Sequence, residues 1–239
     1  MKLSTALGLG MALTFAMNAN ASFLNYGDVV QVGNRAGSVF TPNSISGDSN
    51  GLYTSVSYRI NGGSSSSANA GLYVMDYSYQ MGNSATQWQE FYSFCLEPHV
   101  SLSSFSNPYT AKTVSGAGYP SEEIAELWGR YRNLVNNDLT AAAFQVSLWE
   151  IAYGNDATRD LSSGAFRLTN TNNAVFTLAT SWLNSLNGLG PRAYNLLVLV
   201  DNPNDQHNRQ DLITQIPAPA SLALFGLGLL GFGAMRRRQ

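Results

Sequence analysis

The chain is poor in the residues on which most catalytic and metal sites depend. It contains one cysteine, Cys95, and two histidines, His99 and His207. A lone cysteine excludes an intrachain disulfide, and three such side chains fall short of the four ligands that a structural zinc takes. Charged residues are only 12% of the chain and the formal net charge is −2. That balance excludes the basic face with which proteins hold nucleic acid. Asp201, Asp205 and Asp211 gather late in the chain, but they lack the glycine and terminal glutamate of a calcium loop and read as a solvated segment. His99 lies four residues beyond Cys95, about 13 Å away in extended backbone, too far for a Cys–His pair unless Pro98 starts a turn. The expectation is a protein with no metal, no cofactor and no catalytic residue, hence not an enzyme.

Long apolar runs are also scarce, and the two that exist lie at the ends. Lys2 precedes the apolar stretch Leu3 to Met17, and Ala19-Asn20-Ala21 follows it. A basic start, a centre too short to span a bilayer and a small-x-small exit form a secretory signal peptide over residues 1–21, with Ala19 and Ala21 flanking the cleavage site. Residues 216–239 hold the triplet Pro217-Ala218-Pro219, the uncharged run Ser221 to Met235 and the basic stop Arg236, Arg237 and Arg238. As a helix the run reaches only about 22 Å, a marginal span of a hydrocarbon core of roughly 30 Å. Arginines at the extreme terminus favour the cytoplasmic side, leaving the body of the protein outside the inner membrane.

This tail resembles the PEP-CTERM sorting signal of Gram-negative, exopolysaccharide-producing bacteria, with Ala218 standing where that family usually has glutamate. The resemblance implies a membrane protease-transpeptidase of the exosortase type as processing partner. It also implies a transient tether to the inner membrane through the C-terminal helix, followed by release or transfer to the cell surface or extracellular matrix. Exopolysaccharide is the companion material that this setting implies.

Between the signals, the stretch of residues 22–215 suits one extracellular domain or two closely packed subdomains, and its core needs no disulfide. Its first half alternates in the manner of strands at "LYTSVSYRI" and "GLYVMDYSYQM", joined by the flexible "NGGSSSSANAG", and reaches the aromatic-rich "EFYSFCLE". After Pro120 the period becomes helical. "SEEIAELWGRYRNLV" presents one apolar face with Ser121 as its cap, and "DLTAAAFQVSLWEIAYG" is capped near Asn137 or Asp138 and stopped at Gly154. "NNAVFTLATSWLNSL" predicts a third helix and "YNLLVLVD" a buried returning strand. The fold class is α+β, a β-sheet subdomain with a helical insertion.

Two residues are out of place in that scheme. Cys95 is unpaired in a chain built for export, and Gln145 shares an apolar helical face with Leu148 and Trp149. A buried amide without partners costs about 1 to 3 kcal/mol. Bonding between the two residues resolves both oddities.

Phe94-Cys95-Leu96-Glu97 and Phe144-Gln145-Val146-Ser147-Leu148-Trp149 resemble the paired motifs of bacterial thioester domains. In that family an aromatic-Cys-aliphatic-acidic strand joins an apolar-Gln-x-x-apolar-Trp helix through an internal Cys–Gln thioester. The likeness runs loosely from Leu52 to Val200. It implies a thioester-domain-like fold, a Cys95–Gln145 crosslink shielded by Tyr92, Phe94 and Trp149, and adhesive capture of an amine-bearing surface ligand, protein or amino sugar. The alternative is a structural or polysaccharide-binding matrix protein that holds its partners without a covalent bond, in which the aromatic residues stack on sugars.

Overall fold

The computed structural model describes residues 24–33, 51–81, 87–100, 108–154, 158–201 and 209–216. The signal segment, the sorting tail, His207 and Asp205 lie outside them. In chain order the elements are β1 (Val29–Gly33), β2 (Gly51–Ile60), β3 (Ser66–Ser78), β4 (Gln89–Cys95), β5 (Pro108–Thr113), α1 (Ser121–Tyr131), α2 (Asp138–Tyr153), β6 (Phe166–Leu168), α3 (Ala174–Ser185), β7 (Leu196–Asp201) and β8 (Leu212–Gln215).

The eight strands form one sheet in the order β1-β5-β7-β8-β4-β3-β2-β6, and β1 pairs with β3 as well as with β5. That extra pairing closes six strands into a barrel-like ring, so β1 has a partner on each side. β3 makes the closure possible through its length. Its end from Asp76 to Ser78 pairs with β1, its middle from Tyr73 to Tyr77 with β4, and its start from Ser66 to Tyr73 with β2. β2 and β6 therefore extend beyond the ring. Two glycines mark the point of departure. Gly51 has φ +131°, and a Cβ on Gly71 would lie 1.9 Å from the Leu52 carbonyl oxygen, so β2 and β3 cross more closely there than any side chain allows.

Residues 66–70, expected in a loop, belong to β3. Their serines, asparagine and alanines have little intrinsic strand preference, but each is paired with a residue of β2 between Thr54 and Tyr58, and the ladder overrides propensity. The loop shrinks to a turn in which Asn61 and Gly62 both have positive φ.

The three predicted helices are present. α1 begins after Pro120, and Ser121 makes no capping bond. α2 is capped by Asn137, whose side chain accepts from the Thr140 amide while the Thr140 side chain returns to the Asn137 backbone. α2 is buried at every residue from Ala141 to Ile151, the polar Gln145, Ser147 and Glu150 among them. It lies against β2, β3 and β6 on one side and against α1 and α3 on the other. The link from helices to barrel is aromatic. Phe94 of β4 meets Phe144 of α2 at 4.6 Å between ring centres and Trp128 of α1 at 5.7 Å, and Phe144 continues the cluster to Trp182 of α3 at 6.4 Å. Such contacts add about 0.5 to 1.5 kcal/mol each beyond area burial. They hold α2 across the end of β4.

Candidate functional site

β4 leaves β3 before it ends. The Leu96 amide donates to the Asp211 carbonyl beside β8 at 2.9 Å, so by alternation the N–H and C=O of Cys95 turn to the opposite edge. On that edge β3 follows β4 only as far as the Tyr73–Ser93 pair. Two backbone groups of a residue that is 2% exposed would be stranded there.

Gln145 takes both. Its Oε1 accepts from the Cys95 amide at 2.9 Å, and its Nε2 donates to the Cys95 carbonyl at 2.6 Å. The carboxamide thus imitates a strand for one residue. α2 supplies it fully buried, and the two residues stand 50 apart in the chain. Cys95 carries a free thiol. Burial, and then the nearby Glu97 carboxyl, push that thiol well above its ordinary range.

The other motif residues divide by strand face. Alternation puts Phe91, Ser93 and Cys95 on one face of β4 and Tyr92 and Phe94 on the other. Phe94 is buried in the helix contact, whereas Tyr92 is 49% exposed. Leu96, Phe144 and Leu148 are completely buried. Trp149 packs between Tyr58 and Phe166 with ring centres at 6.1 and 6.0 Å. Its buried indole N–H has no hydrogen-bond partner among the described residues. Tyr58 in turn donates to the Pro98 carbonyl at 2.6 Å, fastening the segment just after Cys95. His99 is exposed and meets the ring of Tyr153 edge-on at 5.5 Å.

One part of the surroundings gave no signal in the sequence. Asp211, expected in a solvated loop, donates its amide to Glu97 Oε2 at 2.8 Å and accepts from the Tyr119 hydroxyl at 2.9 Å. The Gln210 side chain donates to the Glu97 carbonyl at 2.6 Å. Burial, opposed by the Asp211 amide and reinforced by the Asp211 and Asp201 carboxylates, pushes the Glu97 carboxyl up to about 7. Asp211 is raised as well, chiefly by burial. Among the described residues no group of three or more His, Cys, Asp or Glu side chains is arranged to hold a metal ion.

The family model of the PEP-CTERM protein-sorting motif matches residues 215–238. The match begins at the last residue of β8. It implies an exported protein that is handled by exosortase, tied transiently to the membrane and delivered to the cell surface or extracellular matrix. Among the described residues no helix is long and apolar enough to cross a membrane, and the tail segment lies outside them. No curated protein and no solved structure matches the chain.

Proposed function

We propose that this exported protein captures an amine-bearing partner covalently through an internal thioester between Cys95 and Gln145. One observation carries the reading: the Gln145 carboxamide is bonded to both backbone groups of the chain's single cysteine. The likeness of the two motifs to thioester domains gives that pairing its chemistry.

In the forming step the Cys95 sulfur attacks Gln145 Cδ. The Sγ–Cδ bond forms, the Cδ–Nε2 bond breaks, and nitrogen departs as ammonia with the thiol proton. The Cys95 amide at 2.9 Å from Oε1 polarises the carbonyl and stabilises the negative charge that develops on it. Burial of both residues excludes the water that would hydrolyse the product. In the capturing step a primary amine of a surface protein or amino sugar attacks Cδ, the Cδ–Sγ bond breaks, one proton of the amine passes to sulfur to give the Cys95 thiol, and the partner is left on Gln145 as an amide. The protein acts once per molecule and is not an enzyme.

A second reading has its own support. The two hydrogen bonds give both polar atoms of the Gln145 amide a partner without any reaction, as in a structural or polysaccharide-binding matrix protein. Intact mass of the exported, processed chain separates the two. A thioester leaves the wild type lighter by one ammonia, with a thiol that resists alkylation until methylamine is added, and both Cys95→Ala and Gln145→Ala lack the deficit. A full unmodified wild-type mass with a freely alkylated Cys95 refutes covalent capture and leaves the non-covalent reading.

A further inference from the structure

We propose, resting on the polysaccharide-binding reading and independently of the thioester, that the open face of β2, β3 and β6 beyond the ring docks an acidic polysaccharide, with Arg59 and Arg167 as paired anchors for its carboxylates. These strands carry neither Cys95 nor Gln145.

Beyond the ring the strands have one covered face and one open face. Tyr58 and Phe166 are buried against Trp149 of α2, so by alternation Ser55, Ser57 and Arg59 of β2 and Arg167 of β6 point the other way. On β3, Asn69 pairs with Ser55 and Ser67 with Ser57. The hydroxyls of Ser57 and Ser67 stand 3.2 Å apart, which places both strands' polar side chains on one side. The serines and the asparagine are exposed and the two arginines half-exposed. None of these side chains is a carboxylate. Arg59 and Arg167 are register partners. The Asn61 amide donates to the Ala165 carbonyl at 2.7 Å and the Thr169 amide to the Ser57 carbonyl at 2.9 Å, which makes 59 and 167 a hydrogen-bonded pair with Cα atoms about 5.5 Å apart. Like charges set directly opposite one another work against the sheet. Arg130, Arg159 and Arg192 are each paired with a glutamate, yet among the described residues neither Arg59 nor Arg167 meets a carboxylate.

What the pair lacks is an anionic group. A guanidinium holds a carboxylate through two parallel N–H···O bonds, and two guanidiniums this close can take one carboxylate from both sides or two carried on neighbouring units of a chain. The hydroxyls and the amide beside them both donate and accept, as the hydroxyl groups of a sugar chain require. Along β2 these groups recur every second residue, about 7 Å apart, so the face is a track for a linear polymer and not a pocket for a small molecule. Nucleic acid fits it poorly. A duplex carries one charge per about 1.7 Å, and two arginines leave nearly all of them unmatched.

The test is titration calorimetry of the exported, processed chain with alginate oligosaccharides, a soluble polyuronate, at neutral pH without divalent cations. The wild type should bind them, more weakly as salt is raised, and should bind neutral dextran oligosaccharides far less. Arg59→Gln and Arg167→Gln should each weaken binding at least about 10-fold, and the double variant should lose the salt dependence. That double variant should melt no lower than the wild type, because it relieves a repulsion. Replacing both arginines by lysine should keep the salt dependence with only part of the affinity, since the charge stays and the fork is lost. A double glutamine variant that binds as the wild type does, or a wild type that takes dextran equally well, overturns the docking surface and leaves polysaccharide binding to another part of the molecule. A double glutamine variant that melts well below the wild type, with a lysine pair that restores melting and not binding, assigns the arginines to the fold and overturns it too. Equal competition by a single-stranded oligonucleotide would show a general polyanion face, which also overturns it. If the wild type binds neither alginate nor dextran, the polysaccharide-binding reading itself has failed.

Discussion

Replacing Gln145 by methionine isolates what its carboxamide does for the fold. The side chain keeps about the same length and stays apolar, so the buried volume in α2 is nearly conserved. What disappears is the acceptor at 2.9 Å from the Cys95 amide and the donor at 2.6 Å from its carbonyl. Each stranded, buried backbone group costs about 1 to 3 kcal/mol, so the pair costs about 2 to 6 kcal/mol. Against a typical total of roughly 5 to 15 kcal/mol that is a large share. For a body of this size it corresponds to a melting temperature lower by about 5 to 20 °C. Cys95→Ala is the control, because it retains the backbone groups and both bonds from Gln145 while removing the sulfur. Neither variant can carry a thioester, so the difference between them in urea unfolding is free of any crosslink and sets the lost carboxamide bonds against the smaller loss of one buried sulfur. Equal midpoints and slopes for the two variants would refute the claim that Gln145 completes the β4 edge.

Two further predictions concern the body and its tail. Glu126 is 2% exposed and accepts from Arg130 at 2.8 Å and from the amides of Asn187, Gly188 and Gly190. Glu126→Ala should cost about 2 to 4 kcal/mol and speed hydrogen exchange at those three amides, and unchanged exchange would show that the loop is held by something else. Deleting residues 217–239 should leave the melting temperature of the body unaltered, since β8 ends before them and the Ile216 amide is already bonded to the Asn195 carbonyl at 2.8 Å. Aggregation of that protein without a cooperative transition would show that the tail belongs to the fold.

Local signals carried much of this architecture. α2 was legible because a cap, an apolar run and a terminal glycine agree over sixteen residues. That Gln145 needs buried partners was legible from its place on an apolar helical face, whereas its taking the backbone N–H and C=O of residue 95, groups any residue there would carry, was not. The ring closure was not, because it depends on β3 pairing with different strands along its length, and no single segment encodes that. β5 begins with a proline and β8 has only four residues, too short for alternation to speak. Asp201 and Asp211 carry the same weakness. Their composition reads as loop, and only the pairing of β7 with β8 and of β8 with β4 turns Asp211 toward Glu97.

The place where the sorting motif joins the fold also determines how the molecule would bear tension. β8 lies between β7 and β4, bonded to both, and its last residue is the first of the motif. A pull on a tail still held at the membrane enters the barrel through an interior strand, which resists peeling better than a strand at a free edge. Leu212, at the far end of that strand, is the register partner of Cys95, and Cys95 is hydrogen-bonded to Gln145. Under the proposed capture, a load hung on Gln145 would therefore reach the anchor through α2, the end of β4 and the length of β8.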